Sequence, residues 1–358
     1  MDKPLRRISL AEQTAVYLRE ILESGRWAER LPGIIPLSKE LKVSPTTIRG
    51  ALRQLELEGS LIPQGVGRSR ALANGKSTKP RRTLRIGILL HDPPAHLISK
   101  HILNVRNELE AAGHQVFFTK KSQVELHYNV TRIARHIRDT PADAWVVVAG
   151  TKEILTWFSK QAAPFIAMFG RARTLPVAYV GPDKGPAFVA AIDQLAKLGH
   201  RRIVLICRKL RRLPEPGRVE RIFLNELAAH GIPVGDYNLP DWEETPQGLH
   251  HLMNSLFRVT PPTALIVDEV PILASIQQFL AQRKVQIPQQ VSLITTDCDT
   301  YLDWCSPQLS QFRWPDELVA PRVVKWAAAL CQGREDLKQT VLPAVFMAGG
   351  SIGPVLKP

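Results

Sequence analysis

In SPTTIRGALRQLELEG, residues 44–59, Thr46, Thr47, Arg49 and Arg53 fall on one side of a helical repeat, and Ile48, Ala51, Leu52 and Leu55 on the other. Short hydroxyls and guanidinium groups on an outward helix face are the chemistry that meets phosphate oxygens and base edges in a DNA major groove. Lys42 and Ser44 lie on the approach to that face. Gly67 and Arg68 follow in GVGRSR, residues 65–70, where an arginine at a glycine-rich tip can enter a minor groove. A second set of polar residues stands after apolar runs further along: His91-Asp92, Asp268-Glu269 and Asp297. Cys298 and Cys305 lie near Asp297, Asp299 and Asp303, but the spacing is too loose for a metal set, and no metal is assigned.

These side chains need elements to hold them. Ser44 is the expected N-cap and Pro45 the first residue of the outward-facing helix, which Gly59 stops. A short helix at Leu37 to Leu41 and a turn at Val43-Ser44 precede it. Upstream, Leu10, Ala15, Leu18, Ile21 and Leu22 form an apolar stripe between Ser9 and Gly25, giving a first helix that packs beneath the other two. Leu61-Ile62 and Gly65-Val66-Gly67 are expected to form a tight hairpin. Helix, turn, helix and hairpin in this order make a winged helix-turn-helix.

The stretch resembles the GntR-type DNA-binding domain over about the first seventy residues. Leu31-Pro32, Leu37, Leu41, Val43-Ser44, Thr46-Thr47-Ile48-Arg49, Ala51-Leu52, Leu55, Glu58-Gly59 and Gly65-Val66-Gly67-Arg68 carry the resemblance. Ile35 and Pro45 stand where that family habitually has arginines. The resemblance implies a double-stranded DNA operator as partner, with Lys42, Ser44, Thr46, Thr47, Arg49, Arg53, Gly67 and Arg68 as the residues at the DNA.

Charge agrees with this. Residues 1–83 hold 16 Lys+Arg and 8 Asp+Glu, a net +8 of the chain's +14, in under a quarter of its 358 residues. The segment 72–83, LANGKSTKPRRT, is small, polar and basic without periodicity and reads as a linker. The expected division is therefore 1–71, a linker at 72–83, and a larger domain at 84–358. No apolar run approaches twenty residues, the N-terminus does not read as a signal peptide, and Cys207, Cys298, Cys305 and Cys331 show no disulfide pattern. A reducing cytoplasm is the expected compartment.

From residue 84 strands and helices alternate. Leu84–Leu90, Gln115–Thr119, Ala144–Ala149, Phe165–Phe169, Ile203–Cys207, Ala264–Val267 and Val291–Thr295 are apolar runs, separated by helices such as Ile102–Ala112, Ala187–Leu198, Val219–His230 and Ile272–Arg283. That is the grammar of α/β domains with doubly wound parallel sheets, whose ligands bind beyond the carboxyl ends of the strands, at His91-Asp92, Asp268-Glu269 and Asp297.

Residues 84–354 resemble the sensor domain of LacI/GalR-type repressors, related to periplasmic sugar-binding proteins. The phrases stand in order: Leu198-Gly199-His200-Arg201-Arg202-Ile203; Arg218 with Leu227 and Gly231-Ile232; Pro262 to Asp268; Ile287 to Ile294 with Asp297; Pro307-Gln308-Leu309-Ser310; and Gly350-Ser351. The resemblance implies two lobes joined by three crossings, a homodimer formed through this domain, and a small-molecule effector, sugar-like, at His91, Asp92, Arg218, Asp268 and Asp297. Three positions depart from the pattern: Val267 before Asp268, Thr295-Thr296 before Asp297, and the residue after Arg218.

Enzymes of comparable architecture carry a Gly-x-Gly-x-x-Gly after the first strand, a full Gly-x-x-x-x-Gly-Lys-Ser/Thr loop, a His-Glu-x-x-His or a nucleophile elbow between a strand and a helix, and the chain has none of these. No cofactor is expected. A transport component would share the lobes but not the basic residues 1–83. The expected function is sequence-specific repression of transcription under an effector. The alternative is a regulator whose sensor only dimerises.

Overall fold

A computed structural model describes residues 9–23, 31–57, 61–62, 71–72, 82–93 and 99–355. The chain divides into two units, Met1–Arg82 and Thr83–Pro358.

In the first unit, α1 (Leu10–Glu23) starts at a reciprocal cap: Glu12 N donates to Ser9 Oγ at 3.2 Å and Ser9 N donates to Glu12 Oε2 at 2.7 Å. Ala15, Leu18 and Ile21 are buried as expected, with Leu22 packed against them. Leu10 is not; it opens the helix, one turn before the first buried position, Thr14, and remains exposed. α2 (Ile34–Leu41) begins three residues earlier than the expected Leu37, because Pro36 lies in its first turn, where a missing N–H costs no hydrogen bond. α3 (Pro45–Leu57) buries Ile48, Ala51, Leu52 and Leu55 completely against Leu18, Leu31, Leu37 and Leu61.

The hairpin differs from expectation. β1 (Leu61–Ile62) pairs antiparallel with β2 (Ala71–Leu72), Leu61 opposite Leu72 and Ile62 opposite Ala71. The return strand is therefore Ala71–Leu72 rather than Gly65-Val66-Gly67, and Leu72 belongs to the ladder, not to the linker. Gly65 to Arg70, with Gly67 and Arg68, lie outside the described residues.

The second unit holds two sheets. The first contains β3 (Arg85–Leu89), β4 (Gln115–Phe118), β5 (Ala144–Val148), β6 (Phe165–Met168), β7 (Ala178–Asp183) and β12 (Gln339–Pro343), all parallel, in the order β12-β7-β6-β5-β3-β4. The second contains β8 (Ile203–Ile206), β9 (Ala264–Val267), β10 (Ser292–Thr295), β11 (Ser310–Arg313) and β13 (Val345–Met347), in the order β13-β11-β10-β9-β8, with only β13 antiparallel. α4 (Lys100–Ala111), α5 (Val130–Arg138), α6 (Lys152–Phe158) and α12 (Val319–Cys331) belong to the first lobe. The second takes α7 (Gly185–Lys197), α8 (Lys209–Arg212), α9 (Arg218–Ala229), α10 (Pro246–Val259) and α11 (Val270–Gln282).

The chain crosses between sheets after β7, between β11 and α12, and at Ala344 between β12 and β13. Every residue of β5, β6, β8, β9 and β10 is buried, because helices cover both faces of these strands. At Gly87 in β3 the Trp145 ring lies where a side chain would stand, 2.3 Å from an ideal Cβ. Among the described residues no helix is long and apolar enough to cross a membrane.

Candidate functional site

The turn of the first unit is built from local bonds. Lys42 ends α2 in the left-handed region at φ 52°, and Ser38 Oγ donates to Val43 O at 2.6 Å. Ser44 Oγ accepts from Thr47 N at 3.1 Å and lies 2.8 Å from Thr47 Oγ1. Its hydroxyl therefore caps α3, and Thr47 is half-buried beside it. Lys42, Thr46, Arg49 and Arg53 are exposed, opposite the buried face of α3. Ile35, on α2, stands 60% exposed.

In the second unit the loops after β3, β6, β7, β8, β9 and β10 face one another across the lobes. Asp268, at the end of β9, is 5% exposed. It accepts from Arg211 Nη1 at 2.7 and 3.0 Å, from Lys184 Nζ at 3.2 Å and from Thr296 Oγ1 at 2.7 Å. Burial opposes its charge, yet the Arg211 guanidinium and the Lys184 ammonium hold its carboxyl well below the usual carboxylate range. Arg211 also donates to Glu220 at 2.6 Å. Arg208 donates twice to Glu269 at 2.8 Å and once, across the lobes, to Asp92 at 3.5 Å.

His91, next to Asp92, lies 3.4 Å from the Tyr128 hydroxyl, and its buried Nδ1 has no partner among the described residues. Arg218, at the start of α9, is half exposed and donates to Asp183 at 2.9 Å; Arg173 approaches the other oxygen of Asp183 at 3.3 Å. Asp297 accepts from Cys298 N at 3.0 Å, and burial pushes its pKa up to about 6 against the attraction of Lys184.

The five residues singled out in the sequence thus all lie at strand ends or at the start of α9, and three of them, Asp92, Arg218 and Asp268, enter ion pairs at the lobe interface. Arg171, Arg173, Lys184, Arg208 and Arg211 were missed. All follow β6, β7 or β8 within a few residues, so the strand-end rule, applied to basic side chains as well as acidic ones, would have found them. Gly170, at φ 75°, folds the loop of Arg171 and Arg173 onto β5: a Cβ there would meet Gly150 O at 2.6 Å. Beside the cleft, Trp314 packs edge-on to Phe169 and against His101, with centroids 6.0 and 5.2 Å away. Its buried Nε1 has no hydrogen-bond partner among the described residues. His200 and Ser351, prominent in the sequence, serve structure. His200 Nε2 lies 2.9 Å from Gly353 O, and Ser351 Oγ joins Ser310 N and Leu293 O, which fastens the C-terminal segment to β10 and β11.

Two sheets, a cleft at the carboxyl ends and three crossings define a known architecture, and residues 192–352 match the periplasmic binding protein-like domain family. The second unit has a periplasmic-binding-protein-like fold. Among curated relatives, the probable HTH-type transcriptional regulator EndR of Paenibacillus polymyxa is 24% identical over 266 residues, covering 72% of this chain and 73% of that protein. A LacI family transcriptional regulator from Enterococcus faecium, solved with bound ribose, superposes with a TM-score of 0.60 at 19% identity, over 76% of this chain and 100% of that one. The transcriptional regulator CelR–cellobiose complex gives 0.61 at 18% identity, over 86% and 91%. At such identities the solved structures establish the periplasmic-binding-protein-like fold of this chain, and the sugars are theirs.

Proposed function

We propose that the protein is a DNA-binding transcriptional regulator, a repressor, controlled by a small molecule held between the lobes of residues 84–358. Residues 1–72 form the reader, a winged helix-turn-helix of GntR type, and 73–83 the linker. The observation that carries this reading is the presence in one chain of a capped helix presenting Thr46, Arg49 and Arg53 outward and a two-lobed cleft with charged residues from both lobes. The relatives named above are regulators and not enzymes. The β1–β2 ladder after α3 supports the winged form. Arg49 reads bases; Lys42, Arg53 and Arg68 hold phosphates. A homodimer formed through the second unit presents two readers to a palindromic operator. The effector works by its different affinity for the DNA-competent and incompetent states.

Arg49→Ala tests the reader. Binding to the selected operator should weaken by about 1–3 kcal/mol with relaxed preference at the contacted base, read by fluorescence anisotropy at fixed salt. Unchanged affinity and preference would place the reading helix elsewhere.

One observation favours a second reading, in which the second unit only dimerises. Asp268 is already satisfied by Arg211, Lys184 and Thr296, and Arg208 already joins Asp92 to Glu269, so this part of the cleft is closed on itself. Thermal melting with candidate sugars separates the two, since a ligand at a hundred times its dissociation constant adds roughly 2.7 kcal/mol.

A further inference from the structure

Charge is unevenly divided along the cleft. Around Arg208 stand Glu269 at 2.8 Å, Asp92 at 3.5 Å and Glu244 at 3.9 Å, one cation among three carboxylates. Tyr128 and His91 border this end. Toward β6 and β7 the balance reverses. Arg173, Arg211 and Arg218 lie around the buried Tyr179 hydroxyl together with Asp183. Arg173 and Arg218 share the single carboxylate of Asp183. Arg171 meets no carboxylate among the described residues and donates instead to Leu210 O at 2.6 Å and Glu215 O at 3.3 Å, across the lobes. Glu215 itself is turned outward, 75% exposed, with Arg221 at 3.9 Å. Arg211 and Lys184 are taken up by Glu220 and Asp268. The surplus therefore sits on Arg171, Arg173 and Arg218, with one carboxylate among three guanidinium groups.

A neutral ligand closing over this end would bury guanidinium groups without a counter-charge, which is costly. An anion would supply it, and planar guanidinium forks match the oxygens of phosphate and carboxylate groups. At the other end, three carboxylates around one cation accept hydrogen bonds from hydroxyls. Resting on the reading of the cleft as the effector site, we propose that the effector is a polyol bearing an anionic group, a phosphorylated or carboxylated sugar, with the anion on Arg171, Arg173 and Arg218 and the hydroxyls toward Asp92, Glu244 and Glu269. Asp183 occupies, in the structure, the position that the anionic group takes.

Inorganic phosphate is the first probe, titrated into the full-length protein at constant ionic strength while the melting temperature is followed. Phosphate should raise it saturably where chloride does not. Arg173→Gln with Arg218→Gln should weaken apparent phosphate affinity by about tenfold or more, and Asp183→Asn, which keeps an oxygen for Gly185 N, should strengthen it by about threefold. A gain in Asp183→Asn cannot come from misfolding. Acetate in place of phosphate separates the two sources: stronger stabilisation by phosphate identifies a phosphorylated ligand, stronger stabilisation by acetate a carboxylated one. Absence of a saturable shift, or a shift unchanged in the double variant, overturns the proposal. A neutral sugar that stabilises wild type and double variant alike would overturn it too, while leaving the effector-controlled regulator intact.

Discussion

Ser44 and Lys42 sit next to a turn that strains one and employs the other. The Ser44 hydroxyl caps α3, so Ser44→Ala should lower stability by about 1 kcal/mol, as chemical denaturation would show, before any effect on DNA. Lys42 adopts a left-handed backbone that costs a non-glycine residue about 1 kcal/mol. Lys42→Gly should therefore raise the melting temperature of the first unit while weakening DNA binding, and a variant that binds DNA as tightly as wild type would contradict the phosphate role. Asp297 gives a pH test. Its folded pKa of about 6 lies above the unfolded value, so the native state binds the proton more tightly. The stability this contributes is present below about pH 4 and is lost as pH rises through about 6. Asp297→Asn removes the charge and keeps the oxygen that faces Cys298 N. It should match wild type near pH 4 and exceed it by about 2 kcal/mol above pH 6; a constant difference across that range would rule out the titration. Residues of these two kinds were not equally legible. The Ser44 cap acts over three positions and is written locally. The Asp268 pairs join residues 57 and 84 positions apart, and no local pattern carries them.

The strands read in the sequence are the interior β3, β5, β6, β9 and β10 and the edge strands β4 and β8. β5, β6, β8, β9 and β10 are buried on both faces, so their composition is a continuous apolar run. β7, β11, β12 and β13 were not read: β7 carries Gly181, Pro182 and Asp183, β11 carries Ser310, Gln311 and Arg313, and β13 is the half-exposed edge of its sheet. They flank the three crossings, where a sequence gives the least periodic signal and tertiary contacts decide. One such contact is Arg322 in α12. It donates bidentately to Asp336 at 2.9 and 2.9 Å, and to Thr340 Oγ1 and Lys338 O, with only 7% of the residue exposed. That bond set ties α12 to the entry of β12. Asp336→Ala leaves a buried guanidinium without its carboxylate and should cost about 3 kcal/mol, seen as a lower denaturant midpoint at unchanged slope. A loss under about 0.5 kcal/mol would mean that the pair is solvated like a surface bridge.

Over the whole molecule, the net +8 on residues 1–83 is carried by the unit that contains the helix-turn-helix. The unit that follows offers a cleft with charged residues from both lobes. The division of labour was visible in the sequence because composition changes where the fold changes. The charge pattern inside the cleft was not, because it depends on which loops the three crossings bring together. DNA reading by the first unit is the claim on which the rest depends, and it predicts a salt-sensitive but sequence-selective complex. The decisive experiment is selection of random duplex DNA by the full-length protein at fixed moderate salt, with sequencing of the bound pool. Enrichment of a palindrome, its half-sites about one helical turn apart, is the expected result. Binding that weakens with salt but enriches no sequence would contradict it, leaving phosphate attraction alone on a reader that carries Ile35 and Pro45 in place of two arginines.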